Sequence, residues 1–289
     1  MKNYLAIDIG GTFIKSGVMD EEFQEELIQE VPTRKNPEQF LEQLIQLIMH
    51  KPVELSGIAI CMGGFINPDS GTNKDFSVGE NFRAYNLKDK LGKITGLRVA
   101  IENDSNCAAL AELALGAGKN CNDLCLLTIG TGIGGAIIYH RELIRGKNFK
   151  AGEFGFTKIG HKKGDEGASY QAAAATSMLV KRVSDALGEK VDGNYVFDHL
   201  EDHRILAQYE DWLEDLALVV GNVGVSLDPD KILIGGGIST RERFINDLRR
   251  RVYQIYEPFE AYTTIEACAL GNNAGKIGAL INFFNQYGK

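Results

Sequence analysis

The sequence has 289 residues, of which 44% are hydrophobic and 24% charged, and it carries a formal net charge of −8. This composition is typical of globular proteins, and the length suffices for two lobes. A net negative charge of this size repels nucleic-acid backbones and anionic membranes, so we expect neither as a partner. A small neutral substrate fits the charge better.

The five cysteines form no CxxC pair, which predicts reduced thiols in a reducing compartment. No apolar run approaches the roughly 18 residues that a membrane span needs. The short apolar start, interrupted by Asp8, is not typical of a signal peptide. We therefore expect a cytoplasmic protein.

Two glycine-rich turns with the same surroundings stand out. The first, residues 8–12, follows an apolar strand predicted at 4–7 and precedes another at 13–19. The second, residues 129–135, also lies between two predicted strands. Both patterns indicate β-hairpins whose tips present backbone N–H groups to anions. We therefore predict phosphate binding at both tips, and a repeated unit that forms two lobes facing each other across a cleft.

Between the hairpins the pattern predicts further strands and helices. Residues 36–38 are typical of a helix start, and apolar residues at helical spacing continue to residue 48. Strands are predicted at 55–61 and 97–101, and a helix at 107–116. Polar residues at strand ends carry function in layered α/β proteins. The segment 102–106 (ENDSN), which follows such a strand, is therefore a candidate functional site.

After the second hairpin, apolar residues predict a long helix at 210–227. The sequence Asp-Pro at 228–229 is expected to end it. A strand at 231–234 leads into a third glycine turn, Gly235 to Gly237. A helix is predicted from about residue 241 to 256. The tail, 272–284, has small residues at helical spacing, which favours close helix packing.

The glycine motifs have alternative interpretations. Gly130, Gly132 and Gly135 match GxGxxG, but that dinucleotide fingerprint must open a helix, whereas residues 136–139 are short and β-branched. No GxxxxGK[ST] phosphate loop occurs. Each turn alone is also compatible with an ordinary tight turn. Three such turns at three strand ends argue against coincidence.

Three carboxylates lie next to these features. Asp104 is predicted in the first turn of a helix with Asn103 or Ser105 as the cap. It is either a helix-capping acid or a base that accepts a hydroxyl proton late in phosphoryl transfer. Asp8 is either a turn-forming side chain or a residue that holds magnesium through water. Glu153 lies in a glycine-flanked loop, which alone is compatible with a solvated turn.

In this order the segments resemble the ROK family (repressors, open reading frames and sugar kinases) over nearly the whole chain. The resemblance implies an α/β, two-lobed, actin-like (ribonuclease H-like) ATPase fold with a nucleotide and sugar cleft between the lobes. It implies an N-terminal lobe at 1–117, on which a C-terminal helix at about 273–289 packs, and a C-terminal lobe at 118–272.

The individual motifs imply individual roles. Residues 8–15 resemble the first phosphate motif, 129–135 the second, 235–237 the adenosine segment and 102–106 the catalytic stretch. The resemblance implies Asp104 as the catalytic base, ATP and Mg²⁺ as cofactors, and Asp8 as the residue that holds the metal through water. The sugar would be bound by Gly64, Asn81, Asn103, Asp104 and Glu153. The nucleotide would be bound by Asp8, Gly10, Gly11, Thr12, Lys15, Thr131, Gly132, Gly235, Gly236 and Gly237.

The chain departs from the family pattern where many members bind a structural zinc. The positions of the zinc-binding histidine and cysteines here hold Phe156, His161, Lys163 and Ala168. A single histidine cannot hold a tetrahedral zinc, so we predict no zinc site. Phe156 and Tyr170 replace a histidine and a glutamate that would also line the sugar site.

The resemblance implies an ATP-dependent carbohydrate kinase that phosphorylates a hydroxyl, expected to be O6, of a hexose or β-glucoside. Residues 82–87 and 152–156 resemble β-glucoside kinases, whereas 173–179 resemble N-acetylmannosamine kinases, and glucokinase or fructokinase activity stays open. The family also includes DNA-binding repressors, but the acidic charge and the first strand near the N-terminus argue against one. A sugar-binding regulator without catalysis and a homodimer are left open.

Overall fold

The computed structural model describes residues 2–75, 78–159 and 168–289. Its strands are β1 (Tyr4–Ile9), β2 (Phe13–Met19), β3 (Glu25–Pro32), β4 (Gly57–Met62), β5 (Val99–Asn103), β6 (Leu124–Ile129), β7 (Ile133–Tyr139), β8 (Glu142–Ile144), β9 (Lys158–Ile159), β10 (Ala168–Ser169), β11 (Lys231–Gly235) and β12 (Thr264–Ala267). Its α-helices are α1 (Pro37–Met49), α2 (Glu80–Arg83), α3 (Leu87–Thr95), α4 (Asp104–Ala114), α5 (Tyr170–Ala174), α6 (Thr176–Leu187), α7 (Gly193–Asp198), α8 (His203–Leu227), α9 (Glu242–Ile255) and α10 (Ala274–Tyr287).

Contacts divide the chain into two compact units. Unit 1 comprises Met1–Ala114, Arg145–Lys150 and Asn272–Lys289, and unit 2 comprises Leu115–Ile144 and Ala151–Gly271. The lobe limits expected from the sequence stay predictions. They differ from this division at residues 115–117 and 272, next to the lobe limits, and at Arg145–Lys150, which they assign to the second lobe.

The two units contain five-stranded sheets of the same design. The order is β3-β2-β1-β4-β5 in unit 1 and β8-β7-β6-β11-β12 in unit 2. In each sheet the first two strands form an antiparallel hairpin, a later strand pairs in parallel with the first strand of the hairpin, and one more strand pairs in parallel with that added strand. Both predicted hairpins and the predicted repeat are therefore confirmed. The hairpin context of the second glycine turn also excludes the dinucleotide interpretation.

In unit 1, helix ends and close packing follow the sequence signals. The side chain of Asn36 caps α1 by accepting from the N–H groups of Glu38 and Gln39 at 3.0 and 3.1 Å. Helix α10 packs on α4 and β4. A Cβ on Gly278 would lie 1.7 Å from the carbonyl oxygen of Cys107. Only glycine therefore permits this helix contact, as the small-residue pattern predicted.

Two helix boundaries differ from the predictions. Helix α8 begins at His203 rather than at residue 210, because Asp202 caps it and accepts from the N–H of Arg204 at 2.8 Å. Ile205 and Tyr209, four residues apart, extend its buried side, and the prediction overlooked this helical spacing. Helix α4 begins at Asp104, in agreement with the predicted first-turn position of this residue, and ends at Ala114 rather than at residue 116.

The described residues contain no helix that is both long and apolar enough to cross a bilayer. All five cysteines are free thiols, four of them buried.

Candidate active site

The turn from β5 into α4 carries the predicted catalytic residue. Asp104 Oδ1 accepts a hydrogen bond from the N–H of Ser105 at 2.7 Å. Asn103 is the cap, since its Oδ1 accepts from the N–H of Asn106 at 3.0 Å. Its Nδ2 donates to the carbonyl of Gly64 at 3.0 Å. These bonds fix the turn and leave Asp104 exposed on the side that faces the cavity described next.

A cavity of about 300 Å³ in unit 1 opens beside Asp104. This volume lies at the lower end of the range for ligand pockets, which suits one small molecule. Five predicted site residues line it together: Asp8, Gly10, Gly11, Asn81 and Asp104. The remaining lining residues, which the sequence did not indicate, are Ile9, Lys35, Gly63, Val78, Gly79 and Phe82.

The two carboxylates of this cavity have shifted pKa values. Burial raises the pKa of Asp104 above its ordinary value of 3.8, and hydrogen bonds from Ser105 and Asn103 offset only part of the shift. The carboxylate is reached from the cavity, yet protein surrounds its other sides, so water solvates the charge poorly. Burial also raises the pKa of Asp8; a hydrogen bond with Cys61 lowers it, and the charge of Asp104 raises it. A carboxylate with a raised pKa is a stronger base.

Asn81, the predicted sugar-binding asparagine, lies in the short helix α2. Its side chain is buried, and its Nδ2 donates to the carbonyl of Arg34 at 2.9 Å. The contact ties α2 to the segment that follows β3. The amide is therefore held in one orientation at the cavity wall.

Behind the turn that carries Asp104 lies a fully buried carboxylate, Glu102. Its Oε1 accepts from the N–H of Asn103 and from Nδ2 of Asn106, each at 2.9 Å. Its Oε2 accepts from Nε of Arg145 at 2.6 Å, and Arg145 also donates to Oδ1 of Asn282 at 3.3 Å. A buried charge that has a partner and saturated oxygens is stable in the interior. Arg145 thereby supports the residues on both sides of Asp104.

Unit 2 has a cavity of its own at its hairpin tip. The carbonyl of Thr131 accepts from Oγ of Ser177 at 2.7 Å, which joins the tip to the start of α6. The cavity measures about 560 Å³, a size typical of ligand pockets. It includes two predicted nucleotide-site residues, Thr131 and Gly237. The other lining residues are Ile129, Gly130, Thr176, Ser177, Val180, Val191, Asp192, Gly193, Asn194, Phe197, Ile238 and Arg241.

The loop that carries Glu153 packs directly on β7. A Cβ on Gly135 would lie 2.8 Å from the carbonyl oxygen of Gly152, and one on Gly152 would lie 2.7 Å from that of Gly135. Gly152 also has a φ of +87°, which favours glycine. The last glycine of the second motif therefore serves backbone packing. Glu153 itself belongs to unit 2, whereas Asn81, Asn103 and Asp104 belong to unit 1.

Several predicted site residues lie outside both cavities. On β2, Lys15 has its Nζ 3.9 Å from a carboxylate oxygen of Glu30. A Cβ on Gly236 would lie 2.1 Å from the carbonyl oxygen of Ile129, so this glycine permits a close backbone approach. The others that line neither cavity are Thr12, Gly64, Asn103, Gly132, Glu153 and Gly235. The ligand-binding roles of these residues stay predictions.

The zinc prediction concerns residues that are mostly outside the described part of the chain. His161 and Lys163 fall in the gap at 160–167, and only the backbone of Ala168 is described. Phe156 is 61% exposed, and Tyr170 is buried. Within the described ranges, no group of three or more histidine, cysteine, aspartate or glutamate side chains could hold a metal ion. The absence of zinc stays a prediction.

Comparison with known proteins assigns the chain to a family. The ROK family model matches residues 4–285. The chain belongs to the ROK family. It is 33% identical over 293 residues to a β-glucoside kinase of Listeria monocytogenes, covering 97% of each chain. This ROK protein is a carbohydrate kinase that uses ATP.

Solved structures of the ROK family have the same fold. A family protein from Streptococcus pneumoniae in complex with sucrose is 28% identical and superposes with a TM-score of 0.88, covering 98% of each chain. A ROK glucokinase from Streptomyces griseus in complex with glucose and AMPPNP is 25% identical, with a TM-score of 0.80, covering 96% of this chain and 97% of that one. The predicted actin-like ATPase fold is confirmed.

Sequence reasoning missed two charged residues of this ROK kinase. Lys35 lines the cavity with Asp8 and Asp104, and Arg145 pairs with Glu102. Neither belongs to a motif. The sequence offered only a basic pair ahead of the α1 cap and an arginine after β8, and neither signal indicates a tertiary partner.

Proposed function

We propose that this ROK kinase transfers the γ-phosphoryl group of ATP to the 6-hydroxyl of a β-glucoside, with Asp104 as the catalytic base. The observation that carries the proposal is the cavity in unit 1, where the Asp104 carboxylate, with its raised pKa, lies beside a fixed asparagine, Asn81. The 33% sequence identity to a β-glucoside kinase, over 97% of each chain, favours this sugar class.

In the proposed reaction, Asp104 accepts the proton of the sugar hydroxyl. The hydroxyl oxygen forms a bond to the γ-phosphorus as the bond to the bridging oxygen breaks, and that electron pair leaves with ADP. Because phosphoryl transfer has a loose transition state, the base needs only to orient the hydroxyl and accept its proton late. Asn81, Asn103 and Glu153 would bind the other sugar hydroxyls, and Gly64 would support Asn103 through its carbonyl.

Magnesium fits the donor set of this cavity. Asp8 lies at the end of β1, and its raised pKa reflects poor solvation and the nearby charge of Asp104. A cation would lower the free energy of the ionised form. We propose that Asp8 holds Mg²⁺ through water, and the ion would neutralise charge on the phosphates.

We also propose that the cavity of unit 2 binds the nucleoside of ATP. Its wall combines apolar side chains, such as Val180 and Ile238, with the polar side chains of Asp192 and Asn194. Binding sites for flat, polar-edged ligands commonly have this composition. The hairpin tip at Thr131 borders the same cavity, which would bring phosphates near backbone N–H groups.

The Gly237→Leu variant tests this nucleotide site. Gly237 lines the cavity, and a Cβ there meets no atom within 4 Å, so a leucine side chain would enter the cavity and not the core. We expect the KM for ATP to rise about tenfold or more, equivalent to about 1.4 kcal/mol, with an unchanged melting temperature. Steady-state kinetics and thermal denaturation measure both. Gly237→Ala serves as the control, with a much smaller expected effect. An unchanged KM in the leucine variant would exclude the cavity as the nucleotide site.

A substrate panel tests the sugar. Coupled ADP release would be measured with glucose, cellobiose, an aryl β-glucoside, fructose and N-acetylmannosamine. We expect the highest kcat/KM with the β-glucosides. Two matched controls isolate the proposed contacts: methyl α-glucoside changes only the anomer of methyl β-glucoside, and the 6-deoxy β-glucoside lacks the acceptor hydroxyl.

The 6-deoxy compound should bind without turnover, because O6 is the proposed acceptor. Phosphorus NMR of the product of an intact β-glucoside should locate the new ester at O6. Turnover of N-acetylmannosamine alone would refute the proposed substrate class, and an ester at another oxygen would refute O6 as the acceptor.

A further inference from the structure

The segment after β3 binds all three carbonyls of the first glycine tip, which comprises Gly10, Gly11 and Thr12. The N–H of Thr33 donates to the carbonyl of Thr12 at 2.9 Å, and the Thr33 hydroxyl donates to the carbonyl of Gly10 at 2.7 Å. The ammonium group of Lys35 donates to the carbonyl of Gly11. All three tip carbonyls therefore point towards the segment 33–35.

This segment is itself held in place by unit 1. The N–H of Arg34 donates to Oε1 of Gln43 at 3.1 Å, and Nε2 of Gln43 donates to the carbonyl of Pro32 at 2.8 Å. The carbonyl of Arg34 accepts from Asn81, as described above. The next residue, Asn36, caps α1. Lys35 therefore extends from an anchored backbone, although its side chain is exposed.

The orientation of the tip leaves N–H groups for an anion. The N–H of Gly10 donates to the carbonyl of Phe13 at 2.9 Å. The described residues provide no acceptor for the N–H groups of Gly11 and Thr12. A Cβ on Gly11 would meet nothing within 4 Å, so this side of the tip is open. Free N–H groups beside an ammonium form a binding site for phosphate oxygens.

The negative charges in the cavity also favour a positively charged side chain there. Asp8 and Asp104 line it with carboxylates, and Lys35 is the one lysine or arginine among its described lining residues. A γ-phosphoryl group adds further negative charge. An ammonium group has three N–H donors. Because one of them binds Gly11, two remain for the phosphoryl oxygens.

We propose that Lys35 is a further catalytic residue, whose ammonium group donates hydrogen bonds to the oxygens of the γ-phosphoryl group during its transfer. The inference rests on the proposed function of the cavity. As the sugar oxygen bonds to phosphorus and the bridging oxygen leaves with its electron pair, Asp104 takes the proton and Lys35 keeps its own. Its contribution is electrostatic, and it is greatest in the transition state.

The test compares Lys35→Met and Lys35→Arg with a lysine variant elsewhere in unit 1. Lys51 donates to Oε1 of Gln29 at 2.8 Å and lies outside the cavity, so Lys51→Met controls for the loss of a charge. We expect Lys35→Met to lower kcat by about 10²–10³-fold and Lys35→Arg to retain part of the rate. Lys51→Met should keep the wild-type rate.

A transition-state mimic separates a catalytic from a structural role. With the sugar present, Lys35→Met should weaken binding of MgADP with aluminium fluoride at least tenfold and binding of MgADP alone by less than twofold. Thr33→Val removes one tip bond without removing charge, and should weaken both complexes equally if at all. Equal weakening of both complexes by Lys35→Met, or no weakening, would refute the inference. A wild-type enzyme that phosphorylates no sugar would instead refute the proposed function.

Discussion

The Asp104→Asn variant is expected to lose about 10²–10⁴-fold in kcat, the usual contribution of a general base. Asparagine keeps the shape of the side chain, and its oxygen can still accept from the N–H of Ser105. Sugar binding measured by calorimetry should therefore change little. Since the pKa of Asp104 is raised, the acid limb of the wild-type rate profile should lie above the ordinary aspartate value.

The same variant should be more stable than the wild type at neutral pH. With a pKa that is raised on folding, the native state binds the Asp104 proton more tightly than the unfolded chain does. The contribution of Asp104 to stability is then highest below the unfolded pKa and falls as pH rises through the folded pKa. At neutral pH the ionised carboxylate destabilises the native state, and asparagine removes that cost. Urea unfolding at several pH values measures the difference.

Asp202→Asn is the matched control. Asp202 also lies at a helix start, but hydrogen bonds from Arg204 lower its pKa. Its contribution to stability therefore has the opposite sign: it is present above the unfolded pKa and lost as pH falls through the folded pKa. We expect Asp202→Asn to leave kcat unchanged and not to raise the stability at neutral pH. Normal sugar phosphorylation by Asp104→Asn would refute Asp104 as the base.

Local patterns in the sequence were sufficient to predict the hairpins and their repetition. Apolar segments on either side of a glycine turn encode both the strands and the connection between them, as β1 and β2 illustrate. The start of α8 was missed although its signal is also local. Asp202 caps this helix, and Ile205 and Tyr209, four residues apart, pack in the core, but the prediction used only the apolar residues from Trp212 onward.

In the candidate site, residues that are adjacent in the chain were predicted, whereas residues that meet only through folding were missed. Asn103 and Asp104 are adjacent in the chain, so one strand–helix boundary predicts both. Lys35 meets Gly11 across 24 residues, and Arg145 meets Glu102 across 43. Such contacts depend on how strands and helices pack, and no local propensity encodes them. A single sequence predicts the residues of a motif better than the charges that support it.

The Arg145→Met variant should destabilise unit 1 by about 3 kcal/mol, because it leaves a buried carboxylate unpaired. Glu102 is fully buried, whereas the Arg145 side chain is 31% exposed, which places the expected loss at the lower end of the range for buried pairs. The kcat should fall as well, since Glu102 holds the N–H of Asn103 and the side chain of Asn106. Urea unfolding and steady-state kinetics measure the two effects.

The second variant in this test removes the charge that Arg145 neutralises. In Glu102→Gln/Arg145→Met, the glutamine oxygen can still accept from Asn103 and Asn106, and no buried charge remains. We expect this double variant to recover most of the stability and part of kcat. The exposed Lys181–Asp185 pair, with side chains 64% and 65% exposed, provides a control, since Lys181→Met should change stability by less than about 0.5 kcal/mol. If Arg145→Met were as mild as this control, or if the double variant were no more stable than Arg145→Met, the pair would not support the catalytic turn.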